Sequence, residues 1–232
     1  MQKLIIFGSR YQFASCADGK NVYNKLTQEE KKRRKTMKVY IIRHGQSEAN
    51  LLDNNAGWAP VELSALGREQ AAQAGRHLRG IVFDRVYCSD LRRAQQTAQL
   101  ALPGCELILS DKLREVGVGI LAGKPIRENE IKYGDVYARS VKEQDFSAFG
   151  GETQESIRSR VASFMQELEA LQDVAKVAVF GHEGTVHQMV SYALGSRILL
   201  EHFQIDNASC TVLAYEDGIW RVVKFNDTGT LE

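Results

Sequence analysis

The chain has 232 residues, of which 44% are hydrophobic, enough for one sizeable core or at most two small domains. No apolar run is long enough to cross a bilayer, so the sequence predicts a soluble protein without membrane segments. The net charge of +1 hides an asymmetry, because residues 1–36 hold nine Lys/Arg and three Asp/Glu. The remainder is mildly acidic, which argues against nucleic acid as a substrate or partner.

The N-terminal segment differs from the rest of the chain. A short apolar piece, LIIF, is followed by polar residues and the charge run EEKKRRK, without the order of a secretory signal. We predict that residues 1–36 are an appendage, loosely ordered in its centre or added by a mis-assigned start, and that the domain spans 37–232. A basic arm that binds a membrane or nucleic acid is the less favoured alternative.

The predicted elements of the body alternate between strands and helices. In the first half they are a strand at 38–42, a loop at 50–62, a helix from Ser64, a strand at 81–89, a helix at 90–102 and a strand at 105–109. After an irregular segment at 111–151, with a short helix near 127–139, come a helix at 153–172, a strand at 176–182, a helix at 184–194 and a hairpin of 210–216 with 219–225.

Hydrophobic patterning supports these assignments. KVYII at 38–42 is almost continuously apolar, as expected of a strand buried on both faces. Residues 153–172 place apolar side chains at helical spacing. The alternation predicts an α/β fold, a three-layer sandwich with a mostly parallel central sheet and helices on both faces. A loop as long as 111–151 is usually functional, so we expect a small cap segment over the active site.

Cysteines and histidines lack metal-site spacing. The four cysteines form no CxxC pair and read as free thiols of a reducing cytoplasm. The five histidines show no HExxH or Cys/His pattern, so no metal site is expected. We therefore predict a cytoplasmic protein that needs no metal.

Two of the predicted strands end in histidine. VYII runs into Arg43-His44-Gly45, and VAVF runs into Gly181-His182. Because ligands bind outside the carboxyl ends of strands in doubly wound sheets, both histidines should project into one crevice. One histidine at a strand end is more often structural, whereas two beside glycines favour a functional site.

Arginines are expected at the same edge of the sheet. Arg43 precedes the first histidine, and Arg92 and Arg93 open the helix that follows the second strand. The helical wheel places Arg92 opposite the apolar face and Arg93 nearer the crevice, although the difference is modest. Two guanidinium groups and two imidazoles suit a doubly charged tetrahedral oxyanion, that is, a phosphoryl group.

These residues belong to blocks that resemble a known family. RHGQSEAN, CSDLRRAQQTA, LREVGVGILAG, GGETQESIRSRV and FGHEG occur in this order over residues 38–225. The sequence is similar to the histidine phosphatase superfamily, the phosphoglycerate mutase-like family, whose RHG motif opens the first block. The second block selects Arg93, in agreement with the helical wheel.

The resemblance implies a two-step transfer through a phosphohistidine. His44 would be the nucleophile, Glu115 the acid and then the base, and His182 a donor to the phosphoryl oxygens. Further phosphate contacts would come from other matched positions, namely Arg43, Arg93, Asn50 and Gly184. No metal and no cofactor would be needed, and the substrate would be a small phosphorylated metabolite.

Some residues leave alternatives open. Glu183 stands where many relatives have glycine, and Ala122 stands where many have glutamate, so substrate identity does not carry over. Glu152 could either stabilise a helix N-terminus through the dipole or touch the substrate. Ser89 is expected to cap the helix that begins at Asp90.

Three functions remain possible at this point. A phosphatase transfers the phosphoryl group to water, whereas a phosphoglycerate mutase returns it to a hydroxyl and would use 2,3-bisphosphoglycerate as cofactor. A non-catalytic phospho-ligand binder has no use for an acid at Glu115. The segment 117–149 is short and nearly balanced in charge, unlike the longer basic cap of mutases, which favours the phosphatase. KYGD at 132–135 is similar to the mutases, and the oligomeric state cannot be read from the sequence.

Overall fold

A computed structural model describes residues 11–15, 21–25, 36–196 and 203–229. The first two ranges are strands β1 (Tyr11–Ser15) and β2 (Asn21–Lys25), which pair with each other in antiparallel fashion. Apart from Thr36, which opens a strand of the body, the rest of the predicted N-terminal appendage lies outside these ranges. Its loose order and the domain boundary at Met37 therefore stay predictions.

The body contains a six-stranded sheet. Its strands are β3 (Thr36–Arg43), β4 (Arg85–Ser89), β5 (Ile108–Ser110), β6 (Lys176–Gly181), β7 (Cys210–Glu216) and β8 (Ile219–Asp227). Their order is β5-β4-β6-β3-β7-β8. The first four strands are parallel to one another, β7 is antiparallel to β3, and β8 is antiparallel to β7. This confirms the predicted α/β fold with a mostly parallel sheet.

Six α-helices in the described ranges accompany the sheet. They are α1 (Glu48–Leu51), α2 (Ala65–His77), α3 (Arg92–Ala101), α4 (Ile126–Glu143), α5 (Gln154–Ala170) and α6 (Glu183–Ala193). Ser64 caps α2 and Thr153 caps α5, each by accepting a hydrogen bond of 3.1 Å from a backbone N–H group three residues on. A cap of this kind contributes about 1 kcal/mol.

Alternation along the strands produces two cores, one on each face of the sheet. In β3, Val39 and Ile41 pack in one core with α5 and α6, while Ile42 packs in the other with α2 and α3. Neighbouring β6 divides in the same way, with Val179 on the first face and Phe180 on the second. Because successive side chains of a strand point to opposite faces, a continuous apolar run fills both cores and gives three layers.

A third cluster of buried apolar residues supports the cap segment. It comprises Val116, Val118, Leu121, Tyr137, Phe146, Phe149 and Ile157. The Tyr137 hydroxyl also donates to Asn55 Oδ1 at 3.1 Å, which ties α4 to the loop after α1. The helix is longer than predicted and is kinked at Gly134, whose φ is 47°.

Several element bounds differ from the prediction. The second strand begins at Arg85 rather than at residue 81. It follows a bend at Asp84, whose carboxylate accepts from the backbone N–H groups of Ala175 and Lys176. The third strand lies at 108–110, α3 starts two residues later than expected, and α1 occupies part of the predicted loop.

The described chain contains no helix that combines the length and the apolar character needed to span a membrane. Cys88, Cys105 and Cys210 are free thiols, and Cys88 is buried in the sheet. Cys16 lies outside the described ranges.

Candidate active site

The two histidines of the RHG and FGHEG blocks leave neighbouring strands at the same edge of the sheet. Arg43 and Gly181 are register partners in the parallel pair β3–β6, and the next residues in each strand direction are His44 and His182. The His44 backbone N–H donates to Gly181 O at 3.0 Å. Their ring centroids lie 5.0 Å apart, so the sheet register brings both imidazoles into one crevice.

The hydrogen bonds of His44 define its tautomer. Nδ1 lies 2.7 Å from Gly45 O, an acceptor only, so Nδ1 carries the proton. Nε2 lies 3.2 Å from Nε of Arg93, an obligate donor, so Nε2 holds a lone pair. Burial lowers the pKa of His44 well below its ordinary value, and the charges of Arg93 and Arg43 lower it further. The imidazole is therefore neutral, with its Nε2 lone pair at the site.

Glycine at position 45 is required by packing. A Cβ added to Gly45 would lie 2.3 Å from Gly67 O, so the backbone of α2 occupies the space next to the RHG block. The Gly45 N–H donates to Thr97 Oγ1 on α3 at 3.1 Å. The glycine thus admits a neighbouring helix.

Arg93 is completely buried beside the nucleophile candidate. Its guanidinium donates to Gly57 O at 2.9 Å and to Ala59 O at 3.4 Å as well as to His44. Burial lowers the pKa of Arg93 to about 10, so the group stays a cation at neutral pH. Arg92 instead pairs with Glu62 and has a side chain that is 62% exposed.

Arg43 reaches the site from the end of β3. One terminal nitrogen donates to Ile205 O, and the other lies 2.8 Å from the carboxylate of Glu183. Its Nε is buried and has no hydrogen-bond partner in the described chain. A buried donor of this kind is costly unless a ligand or water accepts from it.

Glu115 approaches the histidines from the segment before the cap. Its Oε1 accepts from its neighbour Val116 N at 2.9 Å and from Gly184 N at 3.1 Å. Ligand atoms of Glu115, His44 and His182 all lie within 4.8 Å of one another. A Cβ at position 184 would stand 2.5 Å from Oε1, so only glycine allows the carboxylate this close to α6.

His182 is fully buried and contacts Ser89, with 2.9 Å between Nε2 and Oγ. Its Nδ1 is buried without a hydrogen-bond partner among the described residues. Burial lowers the pKa of His182 well below its ordinary value, and the charge of Arg93 adds to this. The prediction that Ser89 caps a helix beginning at Asp90 is wrong, because α3 starts at Arg92 with Leu91 as its N-cap residue.

Two predicted phosphate-binding positions are otherwise engaged. Asn50 Oδ1 accepts from Ser47 N at 3.0 Å and from Ser47 Oγ at 2.8 Å, which caps the short helix α1. The Gly184 N–H is the group that donates to Glu115. A phosphate contact at either position stays a prediction.

The contacts that hold the backbone around Glu115 were not predicted from the sequence. The Arg160 guanidinium donates to Glu152 Oε1 at 2.7 Å and Oε2 at 3.0 Å, and also to Glu115 O at 3.0 Å. Glu152 in turn accepts from Gly117 N at 2.8 Å. Glu152 is thus part of a network that holds the acid's segment, while Thr153 caps the helix. The i, i+8 spacing of this pair gives no sequence signal.

Trp58 is a second missed residue. Its indole N–H donates to Glu115 O at 2.7 Å, and its backbone neighbours are the two residues that accept from Arg93. Arg114 lies over the indole ring at 5.1 Å and pairs with Asp90 through two nitrogens. Trp58 thus connects the Glu115 backbone to the loop whose carbonyl oxygens accept from Arg93.

The arrangement favours an oxyanion. Arg43 and Arg93 contribute two positive charges, and Arg43 Nε and His182 Nδ1 are buried polar atoms without partners in the described part of the chain. The three donor atoms of His44, Glu115 and His182 are close enough to hold a metal ion, but the adjacent guanidiniums oppose a second cation. A phosphoryl group satisfies the charges and the unpaired donors together.

Comparison with known proteins identifies the family of the chain. Residues 39–228 match the family model of the histidine phosphatase superfamily, branch 1. An adenosylcobalamin/alpha-ribazole phosphatase of Escherichia coli is 29% identical over 207 residues, covering 82% of this chain and 91% of that protein. Phosphoserine phosphatase 1 of Hydrogenobacter thermophilus is 30% identical over 196 residues, covering 83% and 93%. The crystal structure of a phosphoglycerate mutase from Bacillus anthracis matches with a TM-score of 0.72 at 25% identity, covering 85% and 96%.

Proposed function

The chain belongs to the histidine phosphatase superfamily, and on that premise we propose that it hydrolyses phosphate monoesters of small metabolites through a phosphohistidine. One observation carries the proposal. The Nε2 lone pair of a neutral, buried His44 stands beside Arg93 at 3.2 Å, with ligand atoms of Glu115 and His182 within 4.8 Å. A nucleophile, an acid and cationic donors thus stand within reach of one phosphoryl group.

In the first step, His44 Nε2 attacks phosphorus and forms the P–N bond. The P–O bond to the alcohol breaks, and the leaving oxygen takes a proton from Glu115. Nδ1 keeps its proton through the bond to Gly45 O, which stabilises the positive charge that develops on the ring. The product alcohol leaves, and the phosphoryl group stays on His44.

In the second step, Glu115 removes a proton from water. The hydroxide oxygen bonds to phosphorus, the P–N bond breaks, and its electron pair returns to His44 Nε2. Inorganic phosphate is released, and Glu115 holds the proton needed for the next cycle. The Gly184 N–H group on Oε1 keeps the carboxylate oriented in both steps.

The positive groups act on the phosphoryl oxygens. Arg93 and Arg43 donate charge-assisted hydrogen bonds, which are most useful as charge shifts in the transition state. If Ser89 donates its hydroxyl to His182 Nε2, the remaining proton of the neutral ring sits on Nδ1, the atom without a partner. His182 Nδ1 is then a further donor to the transferred group.

The phosphatase is better supported than the mutase. The two sequence relatives described above are named phosphatases, whereas a probable phosphoglycerate mutase of Salmonella is 25% identical over 189 residues and the mutase from B. anthracis shares the fold. Helix α4 mixes basic and acidic residues, which gives little grip on the second anionic group of a bisphosphorylated intermediate. A mere binder has no need of the positioned acid. The metal-free chemistry and the cytoplasmic location stay predictions.

The test is hydrolysis of p-nitrophenyl phosphate and of a panel of metabolite phosphates by the wild-type protein and His44→Ala. We expect turnover and an acid-labile phosphate label on the wild type, and neither on the variant. Arg92→Ala is the matched control, because Arg92 is exposed and pairs with Glu62 outside the site. Undiminished turnover by His44→Ala would contradict the mechanism, and a mutase assay with and without 2,3-bisphosphoglycerate would reveal the alternative.

A further inference from the structure

Glu183 occupies an unusual place beside the proposed phosphoryl site. It is the first residue of α6, directly after His182, and its Oε2 lies 2.8 Å from a terminal nitrogen of Arg43. Arg43 is therefore held on its outer side by a carboxylate and by Ile205 O, while its buried Nε has no partner. In the proposed function, the guanidinium of Arg43 therefore contacts both the phosphoryl group and Glu183.

The position of Glu183 marks it as a neighbour of the leaving group. Its chain neighbour Gly184 donates to Glu115 Oε1, and Glu115 is the group that protonates the leaving oxygen in the proposed function. The Glu183 side chain is 40% exposed, which places it at the rim of the site. Because Glu115 protonates the leaving oxygen in the proposed function, we expect the alcohol part of a substrate near this side chain.

Among the described residues, the charged groups that act on Glu183 besides Arg43 are the carboxylates of Glu115 and Asp206. The pKa of Glu183 is raised, first by burial and then by the charges of Glu115 and Asp206, while the charge of Arg43 opposes the shift. Glu183 therefore lies in the field of two other carboxylates. The basic side chains next to the Glu115 segment are committed elsewhere, Arg114 to Asp90 and Arg160 to Glu152. A second anionic group on the substrate would meet repulsion here.

We propose that Glu183 selects against phosphate esters whose alcohol part carries another negative charge, so that the preferred substrates have a neutral or ammonium-bearing alcohol. This inference rests on the proposed function and names its substrate class. Two unit charges roughly 12 Å apart near a protein surface interact strongly enough to change kcat/KM by about tenfold.

The experiment compares three small esters that differ in charge. They are 3-phosphoglycerate with a carboxylate, glycerol 3-phosphate with a neutral end and O-phosphoethanolamine with an ammonium group. We expect the wild type to have a kcat/KM for glycerol 3-phosphate about tenfold above that for 3-phosphoglycerate. In Glu183→Gln the ratio should fall to within about twofold of unity, and the advantage of O-phosphoethanolamine over 3-phosphoglycerate should fall with it.

The ratio between esters is the readout, because any general loss from a shifted Arg43 or from a fraction of unfolded protein cancels in it. Glu216→Gln is the matched control, since Glu216 also pairs with an arginine, Arg221, but lies at the opposite end of the sheet beside Thr36. Its ratios should equal those of the wild type.

Failure of this inference is separable from failure of the proposed function. Equal changes for all three esters in Glu183→Gln, or a wild type that prefers 3-phosphoglycerate, would overturn the role of Glu183 while leaving the phosphatase intact. If the wild type hydrolysed neither these esters nor p-nitrophenyl phosphate, the proposed function itself would fall, and the inference with it.

Discussion

Replacing Arg160 with alanine is expected to destabilise the fold and to slow catalysis, although Arg160 does not reach the phosphoryl site. The side chains of Arg160 and Glu152 are only 16% and 12% exposed, so the variant leaves a nearly buried carboxylate without its cation. Breaking a buried ion pair in this way costs about 3–5 kcal/mol. Two hydrogen bonds to backbone carbonyls, those of Lys112 and Glu115, are lost as well.

We expect a loss of about 3–4 kcal/mol, at the lower end because both side chains retain some contact with water. For a domain of this size, the loss corresponds to a decrease in Tm of roughly 10 °C. Urea and thermal unfolding measure it directly. Because Arg160 also anchors the Glu115 backbone, kcat should fall more for esters with poor leaving groups than for p-nitrophenyl phosphate.

Two further variants test whether the lost ion pair causes this destabilisation. Arg158→Ala, an exposed arginine on the same helix, should change the free energy of unfolding by less than about 0.5 kcal/mol. Adding Glu152→Gln to Arg160→Ala should restore part of the stability, because the uncompensated charge is removed while Gly117 N keeps an acceptor. A loss below about 1 kcal/mol in Arg160→Ala, or a double variant that is less stable still, would refute the reasoning.

The remaining predictions concern protons and metal. Burial lowers the pKa of His44 and His182, so both stay neutral in the folded protein at a pH where the unfolded chain protonates them, near pH 6.5 and below. The free energy of unfolding should therefore decline as the pH falls below about 6.5. Urea unfolding at pH 7.5 and 5.0 should show a smaller difference for the double variant His44→Asn/His182→Asn, and an equal difference would assign the effect to other groups. Glu115→Gln should reduce kcat at least tenfold more for glycerol 3-phosphate than for p-nitrophenyl phosphate, whereas equal losses would remove its acid role. EDTA should leave the rate unchanged, and a loss that Zn²⁺ or Mg²⁺ restores would contradict metal-free chemistry.

Much of the fold could be predicted because the sheet is buried on both faces. A strand such as β3 must be apolar throughout, and helices such as α5 carry a regular apolar stripe, so both have strong local signals. The edge at which His44 and His182 meet also follows from the sequence, since parallel neighbours end at the same side of a sheet.

The supporting contacts could not be predicted, because they join segments that are remote in the chain. Nothing in the spacing of Arg160 and Glu152 or of Trp58 and Glu115 indicates that they touch, since the loops that bring them together have no periodicity. Ser89 was misassigned for a related reason. Its position before a helix suggested a cap, while its contact with His182 exists only after β4 and β6 pair.

The segment at 205–209 has a consequence for how the protein matures. Asn207 Nδ2 and Ala208 N both donate to the carbonyl oxygen of His44, and Ser209 O accepts from Arg43 N. Asn207 follows His44 by 163 positions. On the ribosome, the imidazole therefore emerges long before the residues that clamp its backbone. A nascent chain therefore carries His44 without these backbone contacts until residues 205–209 have been translated.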